Sequence, residues 1–226
     1  VRRVAAERGV TEFMVVHAAL AVFLSRMATT DDIAIGTPIA GRGQAELDDL
    51  VGMFVNTLVL RTIVDPHQTF GALIDAVKTT DLDAFAHADV PFEAVVEAVE
   101  PVRSESFAPL TQVLLTFGQG SPDPSAVVAD LDDLAVSLLD IEETSSKVDL
   151  TVGINAEGTG AWTGRINYAT DLFDRETIVS FMNRFARLLG QLVADVDSPV
   201  GAVALTSASE TAELTPVGGR TGAQPR

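Results

Sequence analysis

The sequence predicts one α/β domain, a two-layer sandwich of helices packed on a mixed β-sheet. Three observations predict this fold class. Helical and strand patterns alternate through the first half of the chain, paired strands follow, and an amphipathic helix over residues 175–193 closes the pattern. Hydrophobic residues make up 47% of the 226 residues, which is enough to form a substantial core.

Two helices are predicted at the start of the chain. Residues 1–8 show a helical pattern that ends at Gly9, which suits a helix C-cap. Thr11 can cap the second helix, because its hydroxyl accepts hydrogen bonds from free N–H groups of the first turn. Apolar residues recur at helical spacing over 13–27, so this helix is predicted to be buried on most sides. His17 lies inside it and is interpreted as a packing histidine.

Two strands are predicted next. The first covers residues 33–35 and is followed by a turn over 36–38 and a polar loop over 41–44. Residues 54–64 are apolar and β-branched on both parities, which predicts a central strand buried on both faces. Asn56 lies inside this strand. A buried amide needs partners, so Asn56 either makes a structural hydrogen bond or faces a ligand channel.

The next predicted elements are a helix over residues 70–77 and a short helix that begins near Pro91, with Asp89 as its cap. Further strands are predicted over residues 113–117, 134–141, 148–155 and 161–168. Gly158 and Gly160 predict a hairpin between the last two strands. Asp174 is predicted to cap the closing helix. From residue 206 the composition shifts to Ser, Thr, Gly, Pro and Ala, which is typical of a linker.

Charge and composition exclude several classes of function. The chain carries 15 basic and 32 acidic side chains, a net charge of −17, which disfavours nucleic acid and anionic membranes as partners. The absence of cysteine excludes disulfides and thiolate metal sites. No signal peptide or membrane-spanning run is found, so a cytoplasmic location is expected. The chain lacks an initiator Met and opens inside a helical pattern, which predicts a piece of a longer protein.

The residues alone identify no catalytic group. The three histidines, His17, His67 and His87, lack metal-ligand spacing, so no metal site is predicted. His67 is predicted to be exposed, and His87 to bond backbone groups at a helix end. Glycine-rich phosphate-binding loops and the nucleophile elbow of hydrolases are absent from the sequence. The loop over residues 36–42 follows a strand, where binding sites often form, although its glycines also suit turn geometry.

Six segments, taken together, resemble the second half of a condensation domain from nonribosomal peptide synthetases. They are residues 31–42 (DDIAIGTPIAGR), 51–61 (VGMFVNTLVLR), 87–93 (HADVPFE), 109–113 (PLTQV), 147–150 (KVDL) and 168–174 (YATDLFD). Their order along the chain matches that of the family, which makes the resemblance specific. Two residues depart from the family pattern: Phe107 stands where His is frequent, and Thr111 where Phe is usual.

The resemblance implies the C-terminal lobe of a two-lobed, chloramphenicol-acetyltransferase-like domain. The lobe would cover residues 1–205, and residues 206–226 would be a linker to an adenylation domain. The HHxxxDG catalytic motif of the family belongs to the N-terminal lobe. No two histidines of this chain are adjacent, so the resemblance implies a lobe without the catalytic residue that is inactive alone.

In the family, an acceptor amine attacks a carrier-tethered donor thioester in a tunnel between the lobes. This lobe would supply half of the tunnel wall, and the residues implied there are Gly36, Thr37, Gly41, Arg42, Asn56, Ser146 and Asp149. The implied partners are the N-terminal lobe, the donor and acceptor carrier proteins and the adenylation domain. No cofactor is expected to bind directly; the phosphopantetheine arms of the carriers would enter the tunnel.

Carrier proteins are usually acidic, so docking is expected to use arginines, with Arg26, Arg184 and Arg187 as candidates. The alternative function is a remnant, docking or scaffold module of a synthetase that carries out no chemistry. An epimerization domain is disfavoured, because its counterparts of residues 36–42 and 52–57 differ from those found here.

Overall fold

One five-stranded mixed sheet organises the fold. The computed structural model describes residues 1–43, 45–47, 49–101, 104, 107–118, 145–156, 161–207 and 210–212. The described strands are β1 (Asp32–Ile39), β2 (Asn56–Ile63), β3 (Val113–Gly118), β4 (Leu150–Asn155) and β5 (Thr163–Tyr168). The described α-helices are α1 (Arg2–Arg8), α2 (Glu12–Ala28), α3 (Phe70–Ala86), α4 (Phe92–Val99) and α5 (Arg175–Ala194). Short 3₁₀ helices cover Ala45–Leu47 and Val200–Ala202.

The strand order is β2-β1-β3-β4-β5. β1 pairs antiparallel with β2, and β4 pairs antiparallel with β5, whereas the β1–β3 and β3–β4 pairs are parallel. The predicted α/β class and mixed sheet are therefore confirmed. The prediction that residues 54–64 form a central strand is wrong, because β2 lies at the edge and its Arg61 and Ile63 are exposed.

Two faces of the sheet differ in what covers them. Side chains alternate between the faces along each strand. On one face, apolar residues of β1, β3 and β4 join the core formed with α1, α2, α3 and α5. α2 lies between α3 and α5, and every residue from Met14 to Phe23 is buried, as the sequence predicted. The helices thus form one layer and the sheet forms the other.

Local capping fixes the ends of the main helices. Gly9 ends α1 in the left-handed conformation, with φ 61°. The Thr11 hydroxyl accepts from the Met14 N–H at 3.2 Å, and the Asp174 carboxylate accepts from the Thr177 N–H at 2.7 Å. The predicted caps of α2 and α5 are therefore confirmed.

Two predicted boundaries change in the structure. Residues 36–38 continue β1 rather than forming a turn, because they pair with residues 57–59 of β2. At Pro38 the described pairing of β1 is with β2 alone, at Thr57, because β3 pairs with β1 at Gly36. β4 and β5 pair as the predicted hairpin, but Gly158, Gly160 and the predicted strand 134–141 lie outside the described residues.

Candidate functional site

The junction between β1 and β3 relies on side chains as well as backbone. Their ladder has one register pair, Gly36 with Leu114. The buried Thr37 hydroxyl donates to the Leu115 carbonyl at 2.9 Å, and the Thr111 hydroxyl lies 2.9 Å from the Ala34 carbonyl. Two threonines therefore bridge strands that share little backbone pairing. Thr111, which departs from the family pattern, is one of these bridges.

Gly36 is required at this junction for space. A Cβ at Gly36 would lie 2.4 Å from Leu114 Cδ2 and 3.0 Å from Thr111 Cγ2. The packing of β3 against β1 therefore depends on the missing side chain. The structure places both Gly36 and Thr37 in strand contacts at the middle of the sheet.

The loop after β1 is held against the segment that enters β2. Gly41 adopts φ 64°, and a Cβ there would lie 1.7 Å from the Phe54 carbonyl oxygen. The Arg42 guanidinium stacks on the Phe54 ring, 4.3 Å from its centroid, and donates to the carbonyls of Leu47 and Leu50. The two signature segments that contain Arg42 and Phe54 are thus physically joined.

Asn56 connects the start of β2 to α4. Its Nδ2 donates to the carbonyls of Ala88 and Val90, at 3.1 and 2.8 Å. Its Oδ1 accepts from the Phe92 N–H at 3.0 Å, and so caps α4 from another element. The prediction that Asp89 caps α4 is wrong, because Pro91 is the N-cap residue and Asn56 supplies the acceptor.

The Asn56 contacts are those of the structural alternative considered for this residue. Both of its polar atoms bind backbone groups, so it holds the 88–92 segment in place. α4 itself buries no residue, and therefore this amide is one of the few ties that fix its position.

Ser146 and Asp149 lie before β4, which begins at Leu150 rather than at the predicted residue 148. The Ser146 hydroxyl donates to the Val148 carbonyl at 2.5 Å, and the Asp149 carbonyl accepts from the Ala169 N–H at 3.0 Å. Both residues are half-buried. They lie at the approach to β4.

An apolar rim surrounds the entry to β2. Leu50, Val51, Met53 and Val55 are all more than half exposed, and Val51 is fully exposed. Four exposed apolar side chains within six residues make this segment a candidate interface with another protein surface. Arg42 holds this rim in place, because its guanidinium donates to the Leu50 carbonyl and stacks on the Phe54 ring.

The sheet face opposite the helices carries small and polar residues that the sequence analysis missed. The register places Thr116, Gly153 and Arg165 side by side across β3, β4 and β5. A Cβ at Gly153 would lie 3.1 Å from Thr116 Oγ1, so glycine leaves room on this face. Alternation over 150–155 was the available signal, because Leu150 and Val152 face the core while Thr151 and Gly153 do not.

The histidines have structural contacts. His17 is fully buried, with Nδ1 2.9 Å from Asp81 Oδ1 and Nε2 3.3 Å from the Thr62 hydroxyl. His87 Nδ1 donates to the Asp83 carbonyl at 2.8 Å, at the end of α3. His67 is exposed. The interpretations of all three are confirmed, although no sequence pattern pointed to Asp81 as a partner of His17. No cluster of potential metal ligands occurs among the described residues.

The three arginines suggested for carrier docking bind the C-terminal part of this chain instead. Arg26 donates to the Val203 carbonyl, and Arg187 to the Leu205 carbonyl at 2.8 Å. Arg184 and Arg187 both pair with Glu210, at 3.0 and 2.9 Å. Each of the three arginines therefore makes at least one contact within the chain, and their role in carrier docking stays a prediction.

Within the described ranges, no single helix is long and apolar enough to span a membrane. α1 and α2 pass that test only as a pair, by length and composition, with a 108° bend between them.

Comparison with known proteins gives consistent matches. The family model described as Condensation domain matches residues 1–215. The chain is 44% identical over 229 residues to CymA, a probable nonribosomal peptide synthetase of Salinispora arenicola. It is 39% identical over 210 residues to the dimodular nonribosomal peptide synthase of Bacillus subtilis. These matches cover 99% and 91% of this chain, but only 3% and 9% of the two relatives.

Solved structures match the fold. The four-domain nonribosomal peptide synthetase AB3403, solved in its holo form with AMP and glycine, superposes with a TM-score of 0.83 at 23% identity. That match covers 92% of this chain and 17% of the other. The X-domain from teicoplanin biosynthesis gives a TM-score of 0.81 at 26% identity, over 90% of this chain and 46% of the other. The chloramphenicol-acetyltransferase-like fold implied by the signature segments is confirmed.

Proposed function

The chain belongs to the condensation domain family, and from that premise we propose that it is the C-terminal lobe of a domain that forms amide bonds. In the reaction, an acceptor amine attacks the carbonyl carbon of a donor thioester. A C–N bond forms, the C–S bond breaks, and the thiol of the donor's phosphopantetheine arm leaves with the proton. Both reactants arrive tethered to carrier proteins, so holding them together supplies much of the rate.

The proposal of one lobe rests on length and on histidine content. The aligned part covers about nine-tenths of this chain but only 44–46% of the solved X-domain and first condensation domain chains of similar fold. The HHxxxDG motif has no counterpart, because His17, His67 and His87 are far apart in the sequence. We therefore propose that a second lobe supplies the catalytic histidine and that this lobe is inactive alone.

The observation that carries the proposal is the composition of the sheet face opposite the helix layer, as the described residues show it. Thr116, Gly153 and Arg165 lie side by side across this face. Because Gly153 has no side chain, space is left beside the Thr116 hydroxyl. We propose that this face forms one wall of the tunnel through which the phosphopantetheine arms reach each other. The apolar rim (residues 50–55) would then seat the N-terminal lobe, which would cover its exposed side chains.

The candidate tunnel residues act mainly by position in this proposal. Gly36 and Thr37 hold β3 against β1, and Gly41 with Arg42 braces the rim. Asn56 holds residues 88–92, which gives it a positioning role. Ser146 and Asp149 would shape the end of the wall at β4. The domain would act in the cytoplasm, with an adenylation domain joined through the residues after 205.

A condensation assay with loaded donor and acceptor carriers tests the proposal. The 226-residue chain is compared with the same chain joined to its native upstream sequence. Amide product is expected only from the joined protein, because the lobe alone lacks the proton-accepting histidine. Product from the lobe alone would contradict the assignment of catalysis to the other lobe.

Asn56→Ala in the joined protein tests the positioning role. We expect a roughly tenfold lower kcat, a typical scale for a residue that aligns rather than reacts. Asn183→Ala, which removes an exposed amide on α5, is the matched control and should leave kcat unchanged. Unchanged turnover with lowered stability in Asn56→Ala would show that the amide serves only the fold.

A docking module without chemistry is the second candidate. The teicoplanin X-domain, which resembles this chain with a TM-score of 0.80 at 25% identity, was solved in complex with OxyB. A protein of this fold can therefore bind another protein through its surface. If the joined two-lobe protein makes no amide yet binds a protein partner, this second function replaces the first.

A further inference from the structure

The segment that follows the last 3₁₀ helix is fastened to the helix layer at several points. Arg26 of α2 donates to the Val203 carbonyl, and Arg187 of α5 to the Leu205 carbonyl. Beyond these, Glu210 pairs with Arg184 and Arg187. Three of the 15 basic residues in an otherwise acidic chain thus converge on ten residues of the chain itself.

Glu210 is the centre of these contacts. Its carboxylate accepts from Arg184 Nε at 3.0 Å and from Arg187 Nη2 at 2.9 Å. It also accepts from the Ser207 N–H at 2.6 Å, while the Ser207 hydroxyl accepts from the Glu210 N–H at 3.1 Å. This reciprocal pair is a capping box, which fixes Glu210 relative to Ser207.

We propose that residues 203–207 and 210–212 form a strap along the helix layer, and that the Glu210 carboxylate is its catch, which holds the far end of the strap to α5. The backbone contacts of Arg26 and Arg187 align the first half of the strap. The charged contacts of Glu210 hold the second half. Without the catch, residues 206–207 and 210–212 would separate from α5 while the lobe stays folded, because none of the described residues beyond Leu205 packs against the hydrophobic core.

The charge state of the catch supports this role. The Ser207 N–H and the Arg184 guanidinium lower the pKa of Glu210 from its ordinary value to about 2. The groups that face it are the two guanidinium groups of α5 and the backbone and hydroxyl of Ser207. The carboxylate is therefore charged across the physiological range, and added salt rather than pH is the condition that weakens it.

Hydrogen exchange on the whole chain tests the strap. In Glu210→Gln the side chain keeps an acceptor for the Ser207 N–H but loses its charge. We expect amide exchange over residues 205–212 to become about tenfold faster, since two charged contacts are weakened, while α2 keeps its protection. Glu176→Gln, an exposed carboxylate at the other end of α5, is the matched control and should change nothing in the strap.

A second measurement needs no substitution. Raising NaCl from 0.05 M to 1 M should speed exchange in residues 205–212 of the wild-type chain alone, because salt screens surface charge pairs. Unchanged exchange of the strap in both Glu210→Gln and high salt would overturn the proposal. If Glu210→Gln also speeds amide exchange in α2, the salt comparison on the wild-type chain decides whether the strap opens independently of the core.

Discussion

The interior around α2 is held together by other contacts than the apolar rim (residues 50–55) and the neighbouring α4. α2 is buried over a continuous stretch and packs against α1, α3, α5 and the sheet. Many apolar contacts therefore contribute to the stability of this region. The rim buries little: α4 contributes no buried residue, and residues 50–55 expose most of their apolar side chains. Its shape depends on Gly41, Arg42 and Asn56.

This difference shows how a fold can expose apolar side chains in one region while another region holds it together. A region held by burial is stable but has no free surface to offer. A region held by a few hydrogen bonds can keep its apolar side chains exposed. Local opening of such a region need not unfold the core. We therefore expect substitutions in the interior to lower global stability and substitutions in the rim to act locally.

The largest effect is expected from Asp81→Ala in the interior. Asp81 is fully buried and is the partner of His17, so its removal leaves a buried imidazole without that contact. We expect the free energy of unfolding to fall by about 3 kcal/mol or more, measured by urea denaturation. Asp83→Ala, an exposed carboxylate on the same helix, should cost at most about 0.5 kcal/mol. Equal losses in both variants would show that the His17–Asp81 contact is not stabilising.

A smaller effect is expected from Gly41→Ala in the rim. The new Cβ meets the Phe54 carbonyl and alanine disfavours the positive φ, so the loop must shift. We expect a loss of about 1–2 kcal/mol, with faster amide exchange confined to residues near 40–56.

Gly43→Ala is the control for this prediction, since a Cβ there meets nothing within 4 Å. It should leave both unfolding and exchange unchanged. If Gly41→Ala exposed α2 to exchange as well, the rim and the interior would be one cooperative unit and the comparison between them would fail.

The smallest effect is expected at an exposed cap. The Thr177 N–H holds the pKa of Asp174 below its ordinary value of 3.8. A carboxylate with a lowered folded pKa stabilises the fold above its unfolded pKa and loses that contribution as pH falls through the folded value. The stability advantage of the wild type over Asp174→Asn should therefore be constant above about pH 5 and shrink below pH 3.8. Thermal melts of both proteins across this range measure it, and an advantage that grows in acid would contradict the assignment.

Much of the fold was predictable from local patterns. The caps Gly9, Thr11 and Asp174 and the buried course of α2 follow from residue chemistry within a few positions. The edge position of β2 was not predictable. Apolar residues at successive positions are typical of a central strand, yet they also occur in this edge strand. Strand order depends on pairings between distant segments, which periodicity does not encode.

The candidate site was predictable in its members but not in their roles. The signature segments contain Gly41, Arg42 and Asn56, and the structure brings the first two to Phe54 and the third to residues 88–92. Carrier docking by Arg184 and Arg187 stays a prediction, and in the structure both arginines pair with a carboxylate of the same chain. Their counter-ion, Glu210, lies more than 20 residues away in a segment that composition marks as a linker.

The sequence by itself determined the fold class, the caps at Gly9, Thr11 and Asp174, and the family, because these depend on local propensity and on the order of signature segments. Only the tertiary structure decided which residues lie together on the sheet face opposite the helices, which residue caps α4 and which group binds the arginines. Each of these depends on a contact between residues far apart in the chain. Such contacts form only when the packing of the helix layer has fixed the distances between them.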